Sequence, residues 1–127
     1  MRAVTMKESG VEITEVDVPK ANESQVLVEV KACGLNRSDL LETQGQSFGH
    51  LGGKTKILGG EFAGEVIEVG SAVNNLRVGD PVMCRGGSGW AEYAVAHSKR
   101  CATFSSRNLS WEQASCLQGA VQTMHDA

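Results

Sequence analysis

In Gln25-Val26-Leu27-Val28-Glu29-Val30-Lys31-Ala32-Cys33-Gly34-Leu35-Asn36-Arg37-Ser38-Asp39-Leu40, a period of two gives way to a helical one. From Gln25 to Cys33, Val26, Val28, Val30 and Ala32 point one way and Glu29 and Lys31 the other, the alternation of a half-buried strand. Gly34 turns the chain. Residues Arg37 to Thr43 then predict a short helix with Leu40 and Leu41 as its apolar side.

Short strands and turns extend outward from this segment. Arg2 to Met6 reads as a strand, Gly10 breaks it, and Val11 to Val18 alternates as a second until Pro19, with Val11 and Ile13 on one face. Residues 44–60 read as a loop holding six glycines. Glu61 to Val69 predicts a strand in which Ala63 and Gly64 leave room for another backbone. Gly79-Asp80-Pro81 is a turn into the strand Val82-Met83-Cys84, and Gly86-Gly87-Ser88-Gly89 turns the chain again into Trp90 to Ala96. The end is different. Ser110-Trp111-Glu112-Gln113 is a capping box, and Ala114, Leu117, Val121 and Met124 follow at helical spacing, with Gly119 placed to divide the segment. Many short strands between glycine turns predict a mainly β fold, a barrel or sandwich with a helical C-terminal segment.

The bulk properties exclude several function classes. At 127 residues the chain fits one domain. Its net charge of −3 does not suggest nucleic acid or an anionic membrane as partner, since both favour basic patches. No apolar run approaches a membrane span, and the start lacks the apolar core of a signal peptide. The four cysteines are Cys33, Cys84, Cys101 and Cys116; they are widely spaced and read as reduced thiols in a cytoplasmic protein. Glycine, at 15 residues, is abundant without low-complexity sequence, which suits tight turns better than disorder.

Several apparent motifs fail on spacing. Gly49-His50-Leu51-Gly52-Gly53-Lys54-Thr55 is one residue short of a phosphate-binding loop, and no helix follows it. Gly87-Ser88-Gly89 starts like a dinucleotide fingerprint but reaches Glu92 where a third glycine belongs. His50, His97 and His125 are scattered, with no metal-ligand spacing. No nucleophile elbow of the G-x-S-x-G type is present.

Five blocks together carry a resemblance. They are Lys31-Ala32-Cys33-Gly34-Leu35-Asn36-Arg37-Ser38-Asp39-Leu40, Ile57-Leu58-Gly59-Gly60-Glu61-Phe62-Ala63-Gly64-Glu65-Val66, Arg77-Val78-Gly79-Asp80-Pro81-Val82, Trp90-Ala91-Glu92-Tyr93 and Ser110-Trp111-Glu112-Gln113-Ala114. In this order they resemble the N-terminal domain of the medium-chain dehydrogenase/reductase superfamily, in its quinone oxidoreductase (zeta-crystallin) branch. The resemblance implies a GroES-like, partly open β-barrel spanning 1–127. It also implies that a Rossmann domain follows and binds the dinucleotide; the helical pattern, unfinished at Ala127, separately leads to the expectation that the chain is truncated.

What the resemblance implies for the site can be followed residue by residue. Zinc-dependent members place a cysteine, a histidine and a second cysteine at the positions of Asn36, Gly60 and Gly119. None of these can act as a good zinc ligand, so the resemblance implies a zinc-free enzyme using NADPH to reduce a quinone or an α,β-unsaturated carbonyl. Asn36 and Ser38 become candidate catalytic residues. Asn36, Arg37 and Thr123 become candidate cofactor contacts. Asn36 is also a good helix N-cap, Ser38 a simple helix-start serine, Arg37 an ordinary first-turn arginine and Thr123 an ordinary helix threonine. Asp39 and Glu61 match acids behind the zinc site and are expected to make structural hydrogen bonds or salt bridges, not to be catalytic. The loop from Gln44 to Lys56, with Phe48 as its aromatic, departs from the family where it would border substrate. The whole protein is expected to be a homodimer, and the isolated chain inactive. Two further readings stand beside the enzyme: a standalone GroES-like binding or oligomerisation module, and a non-catalytic NADPH-binding relative.

Overall fold

The structure, a computed structural model, describes residues 1–44 and 56–126. The short-spaced Gly49-to-Thr55 motif, Phe48 and His50 lie outside the described residues. The described strands are β1 (Arg2–Lys7), β2 (Gly10–Glu15), β3 (Gln25–Cys33), β4 (Lys56–Ile57), β5 (Glu61–Val69), β6 (Pro81–Arg85), β7 (Tyr93–His97) and β8 (Cys101–Thr103). They pair antiparallel in two sheets, ordered β2-β1-β4 and β7-β3-β5-β6-β8.

The alternation read in β3 decides where the core lies. Val26 and Val28 are fully buried with Phe62 and Val66 of β5, Val82 and Cys84 of β6, and Ala94 and Ala96 of β7. Each large apolar side chain buried this way contributes about 1.5–3 kcal/mol. The two sheets are joined at one corner: Val4 N–H donates to Trp90 O at 2.8 Å, Trp90 N–H to Leu58 O at 2.9 Å, and Leu58 N–H to Val4 O at 3.0 Å. The outer strands of the larger sheet, β7 and β8, do not pair with each other. The result is the predicted mainly β, partly open barrel.

Helix α1 (Arg37–Thr43) starts where the sequence places it, but its inward face differs. Leu40 is 62% exposed, whereas Asp39 is buried. The carboxylate of Asp39 accepts the Asn36 N–H at 2.7 Å, so a polar side chain turns inward to satisfy the backbone at the helix start. β2 likewise ends at Glu15 rather than Val18, and Val11 and Ile13 face outward. The loop read over 44–60 contains the short strand β4, which pairs with β1. The strand read from Trp90 begins at Tyr93, because Trp90 is engaged in the corner bonds just described. The 3₁₀ turn Ser98–Arg100 and β8 carry no periodicity and were not anticipated.

The capping box forms as read: Gln113 N–H donates to Ser110 Oγ at 3.1 Å, and Ser110 N–H to Gln113 Oε1 at 3.0 Å. It opens α2 (Trp111–Ala114), which is followed by a π-helical turn over Leu117–Val121 and by α3 (Gln122–Asp126). The helical segment is thus divided around Gly119. No helix among the described residues is long and apolar enough to cross a membrane.

Candidate active site

Three segments remote in sequence meet at one carboxylate. Glu61, the first residue of β5, is 1% exposed. Its Oε1 accepts the Asn36 Nδ2–H at 2.9 Å, and its Oε2 accepts the Gly119 N–H at 2.6 Å. The π-helical turn allows the second bond, since a one-residue-wider turn releases a backbone amide from the regular ladder. Glycine at 119 is a steric requirement: a Cβ there would stand 2.6 Å from Glu61 Oε2 and 3.0 Å from its Cδ. Asp39 supports the same loop from behind. Burial pushes its carboxyl above the ordinary carboxylate value, while the backbone N–H groups of Asn36 and Gly60 draw it partly back.

The carboxylate forms part of the wall of an open cleft of ≈ 520 Å³. Asn36, Arg37, Ser38 and Thr123 all line it, so every candidate site residue named from the sequence reaches one cavity. Gly60 and Gly119 line it too, which brings together the three positions corresponding to zinc ligands in the resembling enzymes. Among the described residues, no three His, Cys, Asp or Glu side chains converge as a metal site would require. Thr123 Oγ1 donates to Gly119 O at 2.8 Å, the usual bond of a helix threonine, while the residue still faces the cleft. Asp39 and Glu61 are hydrogen-bond partners, as expected of them.

Sequence reasoning missed Arg85 and Arg100, which also line the cleft. The signal was present only as separate letters: an arginine before a glycine turn and a Lys99-Arg100 pair after a strand. The register of β6 and β8 brings them together. Cys84 and Cys101 are partners across these strands, with Cys84 Sγ donating to Cys101 Sγ at 3.3 Å. That bond holds the Cys101 thiol below the ordinary cysteine value; the same bond and burial push Cys84 up. The thiolate is the reactive form. At neutral pH, iodoacetamide is therefore expected to alkylate Cys101 well ahead of Cys84, read by peptide mass spectrometry. Cys84→Ala should slow Cys101 by returning it towards its ordinary value, and an unchanged rate would contradict the assignment.

The model of the alcohol dehydrogenase GroES-like domain matches residues 22–107. The chain is 36% identical over 96 residues to the chloroplast envelope quinone oxidoreductase homolog of Arabidopsis thaliana, a match covering 72% of this chain and 29% of that protein. The structure of the quinone oxidoreductase from Coxiella burnetii superposes with a TM-score of 0.86 at 29% identity, covering 100% of this chain and 45% of that one. The Escherichia coli quinone oxidoreductase, solved in complex with NADPH, superposes with a TM-score of 0.82 at 24% identity over 91% of this chain and 36% of that one, a likeness of fold. The chain thus spans less than half the length of each of these proteins.

Proposed function

The chain belongs to the alcohol dehydrogenase GroES-like domain family, and from that membership we propose that it forms one wall of the active site of a zinc-independent oxidoreductase, which transfers hydride from NADPH to a quinone or an α,β-unsaturated carbonyl. In this reading residues 1–127 are the catalytic domain, and a Rossmann domain in the longer protein binds the dinucleotide. The chain alone is inactive. The whole protein is a cytoplasmic homodimer with a small-molecule substrate and no nucleic-acid or membrane partner. The greater lengths of the relatives support a further domain in the longer protein, as do Val121 and Met124, apolar yet 47% and 78% exposed on the C-terminal segment.

The observation that carries the reading is the carboxylate bridge. An amide N–H aimed at Glu61 and a pair of glycines without side chains do not fit a zinc ion, which takes thiolate, imidazole or carboxylate donors. In this reading the reaction uses no metal. The cofactor, when bound, supplies the hydride, and the protein supplies orientation and electrostatics.

Asn36 is the residue best placed to hold a substrate oxygen. Its side-chain nitrogen has two N–H groups; one is spent on Glu61 and fixes the amide in place, and the other is left for a carbonyl or ribose oxygen in the cleft. Arg37 takes part in no ion pair among the described residues and offers its charge to a cofactor phosphate. Ser38 and Thr123 also line the cleft; in this reading the Ser38 hydroxyl passes a proton to the reduced substrate and Thr123 contacts the cofactor.

The test uses the full-length protein. NADPH oxidation is expected with a member of a quinone and enone panel and should survive a strong chelator. Asn36→Ala should lower kcat by about 10²-fold, the scale for losing one fixed donor to a developing oxyanion. Silence across the panel, or loss of activity on chelation, would overturn the reading.

A further inference from the structure

A second cavity of ≈ 350 Å³ adjoins the cleft, lined by Arg85, Lys99, Arg100, Gln118 and Gln122. Arg85 and Arg100 line both cavities; Asn36, Arg37 and Thr123 line the first and not the second. The β6–β8 ladder ends at the Cys84–Cys101 pair, and the residues that follow it, Arg85 and Arg100, line the same concavity as Lys99; on its other side Arg85 is the register partner of Glu61, whose carboxylate is taken by Asn36 and Gly119. Like charges gathered on one concavity repel. None of the three takes part in an ion pair among the described residues. The π-helical turn and α3 face them with two carboxamides, Gln118 and Gln122, which can donate hydrogen bonds but bring no negative charge. Three unpaired cations and two amides around one concavity form a receptor for an oxyanion: the guanidinium forks suit a phosphate, and the amides complete its shell.

We propose that Arg85, Lys99 and Arg100, with Gln118 and Gln122, form a phosphate-binding subsite that receives a phosphate-bearing arm of the substrate while its reducible end lies at Asn36. The assignment to the substrate rests on the reductase reading above; the subsite itself does not. A phosphate could also come from the cofactor, but Arg37, the residue assigned to that role, lines the first cavity and not the second.

The first test titrates the 127-residue chain with inorganic pyrophosphate and follows backbone amide shifts. Saturable shifts centred on 85, 99–100, 118 and 122 are expected, weakening as salt is raised. The double variant Arg85→Gln/Arg100→Gln should weaken binding by about tenfold or more, since hydrogen bonds to charged groups are worth roughly that factor each. The control substitutions Arg77→Gln and Arg107→Gln, made together, remove the same two charges at positions that line neither cavity and should leave binding unchanged. Binding that survives the double variant, or that Arg37→Gln abolishes, would overturn the subsite and assign the phosphate to the cofactor. The second test compares an enone bearing a phosphate arm with its uncharged counterpart on the full-length protein. A kcat/KM preference for the phosphate form that collapses in the double variant is expected. Turnover without preference would overturn the substrate assignment and leave the reductase reading standing. Pyrophosphate binding at the subsite without NADPH oxidation by either enone would overturn the reductase reading and leave the subsite in place.

Discussion

A chain carrying Gly64→Ala is expected to melt about 12 °C or more below the unsubstituted one, or to show no cooperative transition. Gly64 lies mid-way along β5, opposite Val30 of β3 and beside an irregularity in the pairing between Val30 and Ala32. A Cβ at this position would meet the carbonyl oxygen of Glu29, and would stand 2.7 Å from Val28 Cγ1 and 2.9 Å from Glu29 C. The first and last of these are backbone atoms of the central strand and cannot rotate aside. Relief requires β3 and β5 to separate where they bury the core. Overpacking costs about 1–3 kcal/mol when side chains alone must adjust, so a backbone clash belongs at or above the upper end. About 3 kcal/mol, at about 4 °C per kcal/mol for a domain of this size, gives the expected shift. Gly87→Ala is the control, because a Cβ there meets nothing within 4 Å. Equal melting of the two variants by circular dichroism would contradict the close approach.

Glu61→Ala is expected to lower stability by about 2–4 kcal/mol, combining a cavity with two donors left without an acceptor. Glu61→Gln should fall between it and the parent chain. A glutamine has one acceptor oxygen and one NH₂ group, so it can receive either Asn36 Nδ2–H or Gly119 N–H but sets donor against donor at the other. Hydrogen exchange supplies the readout that distinguishes a tie from simple packing. The Gly119 amide, held at 2.6 Å by Glu61 in the parent, should exchange markedly faster in Glu61→Ala, while amides in β7 should not change beyond the global effect. Protection of Gly119 unchanged by the substitution would remove Glu61 from its place at the centre of the site.

What was legible in the sequence follows from what is local. β3, α1 and β5 were read to their end residues because each carries its own period or its own terminating glycine, and the Ser110–Gln113 box is a bond between neighbours. The inward face of α1 was misread because periodicity counts Leu40 as apolar and cannot see the unsatisfied amide that draws Asp39 inside. β4 and β8 escaped notice for a related reason: strands of two and three residues are set by the partner strand and not by their own composition. The candidate residues came from a resemblance in motif order, and the fold brings all of them to one cleft. The basic subsite did not emerge, since Arg85 and Arg100 become neighbours only through the β6–β8 register.

In this backbone arrangement Glu61 and Gly119 are fitted to each other. Adding a side chain at 119 while the glutamate remains drives a carbon into its carboxylate; removing the glutamate first strands two amide donors. A side chain at 119 beside an acid at 61, the combination that the resemblance implies for zinc-dependent members, therefore requires the carboxylate or the π-helical turn to shift from the positions they hold here.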